Sequence, residues 1–212
     1  MRRKAPPHRL AAGLFLLGAG LLASPPADQE LLSRSRSAVA TLQRSLLAAL
    51  GEALEKGGAS EAVELCREKA PLLAEAASRE NGVEIRRTAL KVRNPRNAPD
   101  DWERAVLEAF EEKAARREEA DPLERWEVRT EGGRPVFRYM KAIFTGEPCL
   151  RCHGPSLEEP LKRRIQALYP GDRAVGFRKG DLRGAFSVRI PLGSRGEPLE
   201  PEPTTPTQGG SP

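Results

Sequence analysis

Aromatic side chains make up only 5% of the 212 residues, so the core must be built largely from Leu, Val, Ile and Ala. Histidine is scarcer: His8 and His153 are the two in the chain. There is no Ser-His-Asp set, no glycine-rich phosphate loop and no internal repeat, and general base catalysis by histidine has no free candidate. Turnover of an organic substrate is therefore not expected, and the chain reads as a non-enzyme. The longest apolar run, Leu10 to Leu22, is about a dozen residues. That falls short of the ~20 needed to span a bilayer. Cysteine is limited to Cys66, Cys149 and Cys152, an odd number that disulfides alone cannot consume.

The N-terminus carries a different signal. Arg2, Arg3, Lys4 and Arg9 form a positive region, the apolar run follows without a charge, and Ala23 is a small residue suited to cleavage. Residues 1–23 read as an export signal, which places the mature chain in the periplasm and at the membrane only during export. No cysteine follows the apolar run, so a lipid anchor has no support. Removing the leader takes four positive charges from the chain's formal net charge of +5, and 5 − 4 leaves about +1. The high isoelectric point then describes mostly the leader, and a nucleic-acid partner is not expected. The mature length, 212 − 23 = 189 residues, suits one domain over 24–192 followed by a Pro/Gly-rich tail, 193–212, expected to be disordered.

Chemistry concentrates in Cys149-Leu150-Arg151-Cys152-His153. Two thiols three positions apart can each add across a vinyl group of one haem, and a histidine directly after the second can reach the iron from the same turn. This is the attachment pattern of haem c, one per chain, with His153 as proximal ligand. Two other readings compete. A dithiol redox centre needs a helix N-terminus in a βαβ setting, and no such alternation precedes Pro148. A zinc site would need adjacent Cys152 and His153 to face one tetrahedral ion, and no second ligand pair is available. With His8 in the leader, the sixth-ligand candidates are Cys66, Met140, a lysine, or nothing. Met140 lies nine positions before Cys149 and can equally line the pocket, while most buried cysteines are inert core thiols.

In chain order, Val39, Leu42, Leu46, Ala49 and Ala53 predict a helix from Gln29 to about Lys56, stopped by Gly57-Gly58. Ser60 can cap a second helix whose inner face is Ala62, Val63, Cys66, Ala70 and Leu73, with Pro71 bending or splitting it. Val83 to Val92 reads as a strand and Arg93 to Pro99 as an ordered loop. Asp100 or Asp101 caps a helix with a buried stripe of Trp102, Val106, Ala109 and Phe110, and its solvated side runs to Glu119. Trp126 to Thr130 and Pro135 to Ile143 form a hairpin around Gly132-Gly133. A short helix from Leu157 to Leu168 and a strand from Gly184 to Pro191 complete the set. The order predicts an α+β fold, an antiparallel sheet with N-terminal helices packed against it.

Several blocks together resemble a known family. Arg87-Thr88-Ala89-Leu90-Lys91, then Arg93-Asn94-Pro95 with Asn97, Pro99, Trp102 and Glu103, is similar to the signature of a single-haem c-type cytochrome domain first described in cyanobacteria. It also serves as the extracytoplasmic sensor part of some histidine kinases and chemoreceptors. Tyr139-Met140-Lys141, the motif through Gly154, Tyr169-Pro170 with Asp172, and Gly180 to Ala185 match its later blocks. Ala89 stands where the pattern has serine and Phe177 where it has an aromatic. The resemblance implies a PAS-like fold and axial ligation by His153 on one side and a cysteine thiolate, here Cys66, on the other. An anionic sulfur donor stabilises Fe(III), which implies a low potential. Arg86, Arg87, Lys91, Arg93 and Arg96 can neutralise the haem propionates or form a solvated face.

The expected function is electron transfer or redox or gas sensing, with a redox partner protein or a separate signalling protein as partner. The alternatives are a thiol-disulfide oxidoreductase using Cys149 and Cys152, and a haem-free PAS-like ligand- or protein-binding module.

Overall fold

The computed structural model describes residues 27–116 and 123–199. The expected leader lies outside the described residues, as do residues 200–212 and part of the run that was expected to extend the capped helix to Glu119.

One helical run, α1 (Ala27–Asn81), holds the apolar stripes predicted for two helices. The backbone leaves the helical region at Gly57 and Gly58, the latter at φ +65°, where only glycine sits without strain. Arg34 shows how sharp the break is. Its guanidinium donates to the carbonyls of Asn81 and Gly82 at 2.7 Å each. A straight helix would separate such positions by roughly 70 Å at 1.5 Å per residue, so the two arms fold back on each other. The second arm starts at the glycines, which puts Ser60 inside its first turn rather than at its cap. Pro71 does not split it. Its missing amide would have met the carbonyl of exposed Arg67, which water can satisfy, while buried Ala70 and Ala77 hold the arm in place.

Four strands follow in the order β1-β4-β3-β2, all antiparallel: β1 (Glu84–Thr88), β2 (Glu124–Glu131), β3 (Arg134–Phe144) and β4 (Leu182–Pro191). The fold is α+β, as expected. β1 is shorter than the predicted Val83 to Val92 because the amide of Ala89 already donates to Asn97 in the next loop. Gly132 and Gly133, both at positive φ, turn β2 into β3.

Alternation along β3 separates two cores. Phe137 and Tyr139 face the α1 hairpin and pack with Leu31, Val39, Leu42, Val188 and Ile190. Arg138 and Met140 face the other way, toward α2 (Asp101–Ala115). Asp100 caps α2 and Glu103 reaches back to complete a capping box. The buried stripe of α2 runs through Trp102, Val106, Leu107 and Phe110, while Ala109, predicted to be inside, is exposed. A stripe covering neighbouring positions 106 and 107 buries a wide leucine where 109 would bury one methyl group.

A third cluster lies beyond the end of the sheet. Val63 of α1, Cys152 of α3 (Glu147–His153), and Leu161, Ile165 and Tyr169 at α4 (Glu159–Leu168) pack together. Past β4, residues 193–199 were expected to lack structure. They instead fold back: Leu192 bridges to Pro198, and the amide of Leu199 donates to the carbonyl of Pro191 at 2.8 Å.

Candidate functional site

The motif forms α3, a seven-residue helix with Pro148 in its first turn. Gly154 ends it. Its amide donates to the carbonyl of Leu150 at 3.0 Å, and a Cβ at this position would stand 2.5 Å from that oxygen, so no larger residue could leave the helix along this path. Cys149 and Cys152 are both free thiols; Cys149 is half-buried, and Cys152 is buried with its Sγ 3.8 Å from the carbonyl of Ala59.

His153 is fixed by the loop before β4. Its Nδ1 lies 2.7 Å from the carbonyl oxygen of Ala174. Because a carbonyl only accepts, Nδ1 carries the proton and Nε2 keeps its lone pair. Burial, followed by the charges of Arg183 and Arg93, pushes the imidazole pKa well below its usual range, so the ring is neutral at neutral pH. The same loop is strapped to the helix by the amides of Gly176 and Phe177, which donate to the carbonyls of Gly154 and His153. The Phe177 ring meets His153 edge-on at 6.4 Å.

Arg93 organises the back of the site. It forms a two-point ion pair with Asp172 at 3.1 Å for each contact, and its Nη2 donates to the carbonyl of Cys152 at 2.7 Å. Both side chains are buried. Asp172 in turn accepts from the amide of Ala174, whose carbonyl holds His153. The loop after β1, the turn after α4 and the end of α3 are thereby clipped together around one guanidinium.

Cys66 faces this assembly from the second arm of α1. Burial pushes its thiol up, against the opposing pull of Arg87, Arg93 and Arg183. These three arginines also act on His153. Two residues 87 positions apart therefore share one cationic neighbourhood. Arg67, the next residue in the chain, is exposed and is not among the groups acting on Cys66.

The cations around the site divide into spent and unspent. Arg86 pairs with Glu103 on the α2 side of the sheet, Arg93 is committed to Asp172, and Arg96 is exposed in the 3-10 turn Pro95–Asn97. Of the five cations read as able either to meet propionates or to form a solvated face, Arg87 and Lys91 remain near the site. Arg183, which sequence reasoning missed, joins them. Among the described residues neither Arg87 nor Arg183 has a carboxylate partner. Burial lowers the pKa of both, that of Arg183 to about 10. Arg183 and Lys91 stand over Phe177, 5.2 and 5.3 Å from the ring centre. Half-buried cations without counter-charges are costly, so this corner can receive an anionic group that no described carboxylate supplies.

Met140 is not at the site. It is fully buried under α2 with Trp102, Leu107 and Ala185, on the face of the sheet opposite the α1 hairpin, and its role is packing. Among the described residues no three of His, Cys, Asp and Glu come together to hold a metal ion, so a metal held by protein donors alone has no site there. A macrocycle that brings four donors of its own needs only axial ones, and the neutral imidazole and the Cys66 sulfur are of that kind. Dithiol chemistry fits less well, because an antiparallel sheet contains no βαβ unit, the setting that such a redox motif uses.

Two comparisons relate the chain to known proteins. The family model described as "Tll0287-like: Tll0287" matches residues 26–191. This chain belongs to the Tll0287-like family. A solved structure described as the crystal structure of the cyanobacterial heme-protein Tll0287 is 30% identical, covers 79% of this chain and 97% of its own, and superposes with a TM-score of 0.55. No curated protein matches. Both the α1 hairpin and the loop carrying Ala174 lie within the stretch that the Tll0287-like model matches, so the parts that position His153 and Cys66 belong to the family domain.

Proposed function

We propose that this Tll0287-like chain is an exported, PAS-like single-haem cytochrome. Cys149 and Cys152 would supply the thioether sulfurs of haem c, His153 the proximal ligand through Nε2, and Cys66 the distal thiolate. Arg87 and Arg183 would receive the propionates. The observation that carries the reading is the fixed ring of His153, whose lone-pair nitrogen is left free on the same helical turn as two uncoupled thiols. An iron porphyrin supplies a one-electron couple, and an anionic sulfur donor would hold that couple low by favouring Fe(III). The protein contributes position, charge and exclusion of water. The role we infer is electron transfer or redox or gas sensing with a separate protein partner in the periplasm, since the residues at the site are ones that can tether and ligate an iron porphyrin.

The ligand assignment is tested by ferric absorption and EPR spectra of haem-loaded wild type and Cys66→Ala. The variant should lose the thiolate-ligated low-spin signal, while both proteins, once reduced, bind carbon monoxide to a similar extent. Identical ferric spectra would remove Cys66 from the iron.

A further inference from the structure

A cavity of about 620 Å³ opens at the free edge of β1, between the second arm of α1 and the start of α2. None of Cys66, Cys149, Cys152 and His153 lines it. Its volume is that of a small-molecule site, about 300–1,000 Å³. At its floor lies Ser187, in the middle of β4 between Arg86 and Met140. Ser187 is only 4% exposed, yet its hydroxyl makes no hydrogen bond to the protein. Its oxygen is not among the fully buried polar atoms that lack a partner, so it opens onto the cavity and can bond a ligand there.

Most of the charge around this space is spent internally. Arg86 is held by Glu103, and Arg138 by Asp100 and Glu131. What is left has both signs. Arg189 uses Nε on Glu131 and Nη1 on Glu84, so its Nη2 has no partner, and it is half-exposed at the mouth. Glu84 beside it is 46% exposed, and a carboxylate taking bonds from one guanidinium nitrogen has further lone pairs to offer. Ser78 accepts from the amide of Ile85 at 3.1 Å and keeps its own proton for a ligand. Four arginines against five carboxylates line the cavity, a formal balance of 4 − 5 = −1. A simple anion would therefore meet excess negative charge, and a simple cation would leave Arg189 and Ser187 unused. The remaining lining includes Ala74, Val83 and Ile85, which suit an apolar side chain.

We propose that this cavity binds a small zwitterion of the α-amino acid class with an apolar side chain. Its carboxylate lies at Arg189 Nη2 and Ser187, and its ammonium at Glu84. The site is separate from the haem reading and does not depend on it.

The test uses the purified mature protein, in whatever haem state it is isolated. The twenty common L-amino acids are screened by thermal shift. Calorimetry follows with L-leucine and with its two half-molecules, isopentylamine and isocaproate. The expected result is binding by leucine or another apolar amino acid, each half-molecule binding at least about tenfold more weakly, and Ser187→Ala and Arg189→Gln each reducing affinity about tenfold. The proposal is overturned if no amino acid binds at about 10 mM, if a half-molecule binds as tightly as the zwitterion, or if the variants bind like wild type. Should Arg189→Gln fail to fold, Ser187→Ala decides alone, since it removes one hydroxyl and leaves the backbone pairing of β4 in place.

Discussion

At the scale of single residues, the site depends on which charges are paired. Arg93 and Asp172 pair in a buried setting, so Arg93→Met leaves a buried carboxylate alone and also releases the carbonyl of Cys152. Urea unfolding should show a loss of about 3–5 kcal/mol. Arg87 and Arg183 pose the opposite case. In a haem-free Cys149→Ala/Cys152→Ala background, Arg183→Gln removes an uncompensated half-buried cation and should be neutral or stabilising by up to about 1 kcal/mol. In the haem-loaded protein the same change should lower the melting temperature. Equal effects in both backgrounds would show that Arg183 meets no haem group. The Cys-x-x-Cys-His pattern and the inward face of Cys66 could be read directly from the sequence. The partner of Arg93 could not, because it lies 79 positions away and only the folded chain brings the two together. Arg183 was also hidden: within Gly180 to Ala185 it is one basic residue in a polar stretch, and its missing counter-charge is visible only in three dimensions.

Elements were legible where local chemistry decides them. Gly57-Gly58, Gly132-Gly133 and the Asp100 to Glu103 box behave as their residue types dictate. Ala109 and the far end of β1 went the other way, since packing and a loop hydrogen bond outweighed local preference there. Gly154→Ala should separate these influences at α3. Its methyl group meets the carbonyl of Leu150, so it should cost about 1–3 kcal/mol in thermal unfolding and reduce haem incorporation. The joint between α2 and the sheet carries a pH dependence. Burial alone would raise Asp100 and Glu131, but hydrogen bonds from the Glu103 amide and Arg138 in the first case, and from Arg189 and Arg138 in the second, hold both below their ordinary values of 3.8 and 4.5. Groups lowered by folding stabilise fully above those values and lose the contribution as pH falls through the folded one. Arg138→Met should therefore cost about 3 kcal/mol at neutral pH, and its deficit in urea melts should shrink as pH drops below 4.5.

For the whole molecule, the lean aromatic content explains the architecture. A sheet with a helical hairpin on one face and one helix on the other uses its few large rings, Phe137, Tyr139, Trp102 and Phe110, where the two cores need them. The third cluster is smaller and ends at Cys152, and a bound macrocycle would extend its apolar surface. The central claim is that this cluster is completed by one covalently attached haem. The direct measurement is the mass and alkaline pyridine spectrum of the mature chain made in a host competent for cytochrome c assembly. The account predicts a coloured protein heavier by one haem, with Cys149 and Cys152 closed to alkylating agents. A colourless protein of unmodified mass, in which both thiols alkylate, would contradict it.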